Sequence, residues 1–212
     1  MMPFHSFCSS LDDFSSQRKH YQKGGIGSWF RRYRDQRVFR RLKKEWHVLI
    51  DLGCGEGITL EQLIERFPEK RCVGIELNKQ NVETCRSYRL PVLNGNVYHL
   101  SIKTGSADCC LMMDVIEHLD FHENVLKEIY RILKPGGTLI LVFPNDRNFF
   151  LSRLLCFKWK EAYYDPGHVK RWNPKEMKDF LEKMGFHISY GKSVPFLFWP
   201  LSLYHIVQAE KN

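Results

Sequence analysis

VLIDLGCGEG, residues 48–57, is the stretch on which the fold turns. An apolar run that breaks into glycines at G-x-G-x-G spacing reads as a buried strand entering a tight turn. Glycine turns of this sort often receive a pyrophosphate at the N-terminus of the helix that follows. Here two acids, Asp51 and Glu56, flank the turn. Their charge opposes a pyrophosphate in a partly desolvated crevice, and it favours a cationic ligand that carries no phosphate.

Outward from this turn the chain alternates between two periodicities. ITLEQLIERF places Leu60, Leu63 and Ile64 on one side of a helix, RCVGIEL is a strand, and NKQNVETCRSY is a helix opened by a potential Asn78 cap. PVLNGNV reads as a third strand ending at Asn96, and ADCCLMMDV as a fully apolar strand ending in an acid. HENVLKEIYRILK is then a helix, expected to stop at Pro135-Gly136-Gly137, and TLILVFP is a buried strand. PKEMKDFLEKMGF adds a late helix, and FHISYGKSV with LYHIVQAEK makes an antiparallel pair. Alternation of this type predicts an α/β, doubly wound, mostly parallel sheet with an antiparallel edge hairpin.

Ligands of such sheets bind beyond the carboxyl ends of the strands, where the winding reverses. The four strand ends carry Asp51, Glu76, Asn96 and Asp114, the last followed by Glu117-His118. S-adenosyl-L-methionine suits that set, because it has an ammonium, a sulfonium, a ribose and an adenine but no phosphate. The glycines let the backbone approach its amino-acid portion, Asp51 favours its positive end, and Glu76 accepts from both ribose hydroxyls.

VLIDLGCGEG, CVGIELN, GNV, ADCCLMMDVIEHL and ILKPGGTLILVFPN, taken in order, resemble the successive motifs of class I S-adenosylmethionine-dependent methyltransferases, in the small-molecule group that includes quinone-biosynthesis enzymes. The resemblance runs from about Val48 to Val207. It implies a seven-stranded, Rossmann-like sheet whose last two strands form the hairpin. It also implies cofactor contacts at Asp51, Gly53, Cys54, Gly55, Gly57, Glu76, Leu77, Asn96, Val97 and Met113. Asn96 stands where the family often has an aspartate, and its amide oxygen can still accept from the adenine amino group. Cys54 reads as a packing residue, with no base assigned to it.

Methyl transfer asks the protein to align an acceptor with an already activated methyl group and to exclude water. Where an O–H or N–H must lose its proton, a base helps. His168 is the preferred base, set in H-x-x-x-W-x-x-x-E-M spacing with Trp172 and Glu176-Met177 that is similar to quinone-type O-methyltransferases; the competing role is a histidine that fastens a lid. Glu117, His118 and Asp114 are the other catalytic candidates, although Asp114 equally suits capping of the next turn. The insertion NFFLSRLLCFKWKEAYYDPGH, within a lid at about 145–172, would be apolar around much of a short helix, and core packing competes there with an apolar or amphipathic acceptor.

Composition bounds the rest. The 212 residues suit one substantial domain, here 46–212, preceded by a basic arm and helix at 1–45. Hydrophobic residues at 43% exclude a disordered polymer. The net charge is +8, and eleven Lys or Arg against the single Asp35 between Arg18 and Lys44 contribute about +10 of it, which leaves the remainder near −2. A helix packed on the domain edge, an anionic membrane surface and nucleic acid are the three uses of that segment, with nucleic acid last because no aromatic-interleaved RNA-reading motif accompanies it. Seven cysteines without a C-x-x-C pair give neither a metal spacing nor a disulfide framework, so no metal is expected and a cytoplasmic setting is the simpler reading. The first residues lack the pattern of a signal peptide, and no apolar stretch is long enough to span a bilayer. The function that follows is methyl transfer from S-adenosyl-L-methionine to a small-molecule acceptor. An RNA methyltransferase and a noncatalytic cofactor-binding regulator are the alternatives.

Overall fold

Val48–Leu52 forms β1, and its partners settle the topology. In the computed structural model, which describes residues 17–42, 45–145, 148, 168–196 and 198–212, β1 pairs in parallel with β2 (Arg71–Glu76) on one side and β4 (Ala107–Met113) on the other. β2 carries β3 (Val92–Asn94), and β4 carries β5 (Leu133–Pro144). Beyond β5 the direction reverses. β7 (Tyr204–Lys211) lies antiparallel between β5 and β6 (Phe186–Val194), giving the order β3-β2-β1-β4-β5-β7-β6. The doubly wound sheet and its edge hairpin match the reading above, and the winding switches between β1 and β4. Most of the lid insertion, with its expected apolar helix, lies outside the described residues.

Alternate side chains of the central strands feed two cores. On one face Ile50, Leu52, Cys110, Met112, Leu139, Leu141 and Phe143 pack beneath α5 (His122–Ile132) and α6 (Pro174–Lys183), which bring Leu126, Ile129, Met177 and Leu181. On the other face Leu49, Leu111, Ile140, Val142 and Ile206 meet α3 (Ile58–Arg66) and α4 (Lys79–Ser87) through Leu60, Leu63 and Val82. Full burial of one such side chain stabilises by about 1.5–3 kcal/mol, so these two layers dominate the fold's free energy.

The basic N-terminal segment joins the second layer. α1 (Gln17–Lys23) is followed by α2 (Ile26–Phe39), and α2 buries Val38 and Phe39 in the same cluster as Ile140, Val142 and Ile206. More unusual is what lies one turn earlier, since Arg34 and Asp35 are also buried, at 2% and 0% exposure. A charge that deep in a helix needs an opposite charge or a hydrogen-bond partner inside the protein.

Local signals explain where the helices begin. Asn78 Oδ1 accepts from Gln80 N at 2.8 Å and Asn81 N at 3.3 Å, as a cap should. Asn173 does the same for α6, accepting from Glu176 N at 2.9 Å ahead of Pro174 in the first turn.

Two boundaries differ from expectation. The helix before β5 ends at Ile132, not at Pro135-Gly136-Gly137, and those three residues belong to the strand. The residue before a proline is pushed out of the helical region, so the helix has to end before Lys134, and Leu133 is already extended at φ −68°, ψ 139°. Pairing then jumps from Ala107↔Leu133 to Cys109↔Thr138, and the intervening residues bulge out through Gly136 at φ +70°. The third strand stops at Asn94 rather than Asn96, because the Asn94 amide donates to the carbonyls of Glu76 and Leu77, both at 2.9 Å, and ties the chain back to the end of β2.

Candidate functional site

At the switch point β1 delivers Asp51, and the chain turns through Gly53-Cys54-Gly55-Glu56-Gly57 into α3. Gly53 and Cys54 both donate their N–H to Ile75 O, at 2.8 and 3.1 Å, so the turn is pinned to β2. Gly53 has φ +73°, and a Cβ there would lie 2.5 Å from Val115 Cγ2, so no side chain fits. Gly55 is different. Its φ is +56°, yet a Cβ would meet nothing within 4 Å, which leaves the backbone open to a ligand on that side.

Glu76 closes the second strand end. Its Oε2 accepts from Gly55 N at 2.9 Å and its Oε1 from Asn78 N at 2.7 Å, which joins the glycine turn to the cap of α4. An ionised carboxylate has about four acceptor sites, so two remain for outside hydroxyls. Replacing Glu76 with alanine is expected to weaken cofactor binding by about 1–3 kcal/mol in calorimetry. Unchanged affinity would remove Glu76 from the ribose role.

Asp51 is 3% exposed, and its Oδ2 has no hydrogen-bond partner among the described residues. Burial first, then the charges of Asp35 and Glu76, push its carboxyl up to about 7. A buried carboxylate oxygen beside an open glycine turn is a fitting place for an ammonium group. The second acid of the turn is already matched, because Arg18 of α1 donates from its backbone N–H to the Glu56 carboxylate and from Nη2 to Glu56 O at 2.9 Å. Arg18 Nη1 also reaches Glu61 Oε2 at 2.7 Å. Of the two acids that flank the turn, Asp51 is therefore the one left to face a cation.

Cys54 lies half-buried. Its Sγ sits 2.5 Å from where a Cβ on Gly74 would be, so it fills the space that β2 leaves by having glycine there. The Cys54 thiol is pushed well up by its hydrogen bond with Cys85 and by burial, which keeps it protonated and unreactive. Met113 is 9% exposed, Val97 is half-buried against the first core, and Leu77 is 61% exposed at the rim. Gly57 precedes the first turn of α3. Asn96 is exposed, and its Oδ1 accepts from Tyr98 N at 3.0 Å.

Asp114, at the end of β4, is held in the left-handed region at φ +56°. Arg34 Nη1 donates to Asp114 Oδ2, Arg34 Nε donates to Asp35 Oδ1 at 3.0 Å, and the guanidinium lies 4.7 Å from the Tyr204 ring centre. Burial alone would lower the Arg34 pKa, but Asp114 and Asp35 together hold it well above the usual range. Asp35 also accepts from Thr59 and Gln62 of α3. Arg34, Asp35 and Arg18 were not singled out from the sequence. The signal for one of them was there, since Asp35 is the single acid inside the basic run.

His118 and His168 stand together, their rings 4.6 Å apart and inclined at 73°. The 3-10 turn Ile116–His118 follows β4, and Glu117 O accepts from Val169 N at 2.8 Å and Lys170 N at 3.2 Å. Those two bonds bring the end of the insertion back to the strand end. Trp172 is buried at 4%, 5.2 Å from Phe180 of α6, with Lys170 Nζ 3.7 Å from its ring centre.

The family described as "Methyltransferase domain" matches residues 50–141, a span from β1 through most of β5. A curated protein named a probable S-adenosylmethionine-dependent methyltransferase, of Mycolicibacterium smegmatis, is 27% identical over 76% of this chain and 60% of its own. A trans-aconitate 2-methyltransferase of Deinococcus radiodurans is 30% identical over 61% of this chain and 50% of its own. The chain thus spans roughly half of the curated relatives it matches. For the fold, a solved S-adenosylmethionine-dependent methyltransferase of Thermotoga maritima superposes with a TM-score of 0.70 at 23% identity, covering 94% of this chain and 98% of the other. Residues 50–141 thus resemble the methyltransferase-domain family, and the sheet with its β7-β6 hairpin shares the fold of the solved S-adenosylmethionine-dependent methyltransferase.

Proposed function

We propose that the chain transfers a methyl group from S-adenosylmethionine to a small-molecule acceptor with an apolar body. The supporting observation is buried Asp51 beside open Gly55, at the point where the sheet reverses, with an Oδ2 that has no hydrogen-bond partner among the described residues. A relative named for methylating trans-aconitate fits an acceptor of small size. Phe196, Phe198 and Leu201 are exposed in the β6–β7 connection, where Asn148 of the insertion donates to Pro200 O and Ser202 O at 2.8 Å. That apolar rim supports the choice of an apolar acceptor. Trp29, Arg32, Arg37 and Arg40 are exposed on or just after α2 and support delivery of such an acceptor from an anionic lipid surface.

When bound, the cofactor supplies an electrophilic methyl group on a sulfonium. The residues of the chain do the rest. Asp51 draws the positive end, Glu76 and the N–H groups it holds align the ribose, and Met113 and Val97 exclude water from the adenine side. The acceptor's proton is managed at the His118–His168 pair, which stands at the next strand end. Replacing His168 with alanine is expected to lower turnover by about 10²-fold or more while leaving calorimetric cofactor affinity within about twofold. A loss of thermal stability alone would make His168 a fastener of the insertion.

The deciding experiment is labelled-methyl transfer with extracted metabolites, with and without anionic vesicles, followed by mass spectrometry of the product. Label in a small apolar product, faster with vesicles, supports the reading. Label in RNA alone, or cofactor binding with no labelled product in any pool, overturns it.

A further inference from the structure

Glu117, His118 and His168 reach one small volume from two connections of the chain. One oxygen of Glu117 and one nitrogen of each imidazole all lie within 4.8 Å of one another. Two of the three follow β4 directly, and the third is brought in by the bonds from Val169 N and Lys170 N to Glu117 O. Glu117 is 2% exposed, while the two histidines are half-buried and face each other edge to face. The carboxylate is therefore the most buried of the three donors, and the imidazoles are the more exposed two.

A carboxylate with two imidazoles is a donor set for a borderline divalent cation, of the zinc, cobalt or iron kind, and not for the oxygen-rich shell of calcium. Donors on one such cation lie about 3–3.5 Å apart, given bonds of about 2.0–2.2 Å. The three donors, all within 4.8 Å of one another, are near enough for one cation to draw them to that spacing. Three protein ligands leave coordination positions open, as in catalytic rather than structural sites.

We infer that Glu117, His118 and His168 hold a divalent transition cation whose open positions receive an oxygen of the methyl acceptor. The part concerning the acceptor rests on the methyl-transfer reading above. It narrows the acceptor to a molecule with a hydroxyl or carboxylic acid group. On the cation the acceptor O–H loses its proton to water at a lower pH than in solution. The oxygen then forms its bond to the methyl carbon as the sulfur–carbon bond breaks, the electron pair returns to sulfur, and a neutral thioether leaves. The histidines thus handle the acceptor's proton through the metal rather than by accepting it themselves, which reassigns His168 from base to ligand.

The test uses the full chain, freed of metal by chelation and titrated with Co²⁺ alone. A saturable visible absorption at one equivalent is expected, without the near-ultraviolet band that thiolate ligands give, and its affinity should fall by roughly 100-fold in His118→Ala and in His168→Ala. Circular dichroism and calorimetric S-adenosylmethionine binding check that both variants are folded. No saturable band in the wild-type chain, a thiolate band, or affinity unchanged in both variants would overturn the site. Labelled-methyl transfer in the presence and absence of Co²⁺ or Zn²⁺ separates the two readings. A site that binds cobalt in a chain that methylates nothing leaves the metal and removes the acceptor, and methyl transfer that survives complete chelation removes the metal's role.

Discussion

Arg34→Met is expected to lower the unfolding free energy by about 3–5 kcal/mol, the scale of breaking a buried charge pair from one side. The guanidinium is 2% exposed and serves Asp35, Asp114 and the face of Tyr204 at once. Removing it leaves Asp35 with no exposure and, among the described residues, no cation, close enough to Asp51 to raise the latter's pKa, and leaves Asp114 without the cation that pairs its Oδ2. Urea denaturation should show a lower midpoint at an unchanged slope. Arg34→Lys should recover part of the loss, since a single ammonium cannot fork between two carboxylates. A midpoint shift worth less than about 1 kcal/mol would mean that α2 is held by Val38 and Phe39 alone.

Cofactor affinity is expected to rise about tenfold per pH unit between roughly pH 5.5 and 7 and to level off above that. The cause is Asp51, whose carboxyl is pushed up to about 7 by burial and by Asp35 and Glu76. In the unfolded chain the same group ionises near its usual value of about 3.9. The folded, cofactor-free protein therefore binds the extra proton between those limits. Its stability from this group is full below about pH 4 and is lost as pH rises through 7. A cation bound at the carboxylate prefers the ionised form, so binding pulls the equilibrium the other way and releases a proton. Asp51→Asn should flatten the pH dependence of both quantities and weaken binding at pH 8 by about 1–3 kcal/mol. Calorimetry in buffers of different ionisation enthalpy checks the proton release, and a wild-type affinity that is flat from pH 5.5 to 8 sinks the assignment.

Much of this architecture is legible in the sequence because its signals are local. Residues 186–194 read as a strand and are one, and Asn78 caps the helix it precedes. The Pro135-Gly136-Gly137 stretch misled because the same residues that end a helix also make a bulge, and only pairing with β4 decides between them. The site divides in the same way. Asp51, the glycines and Glu76 fall at strand ends that periodicity locates. The Arg34–Asp114 pair joins positions 80 apart, with no repeat or spacing to announce it, and only the packing of α2 against the sheet brings them together. The proximity of His118 to His168 is legible only where a resemblance aligns the two segments, since 49 intervening residues separate them.

Gly74 lies in the middle of β2, outside any glycine motif, yet its hydrogen atom borders Cys54 Sγ and Leu60 Cδ2, which would stand 2.5 and 2.9 Å from a methyl group there. Positions 54 and 74 thus share a single parcel of space. Enlarging either one displaces the ligand-facing loop unless the other shrinks, so a serine at 54 would make room for an alanine at 74, and the two substitutions together would be milder than the alanine alone.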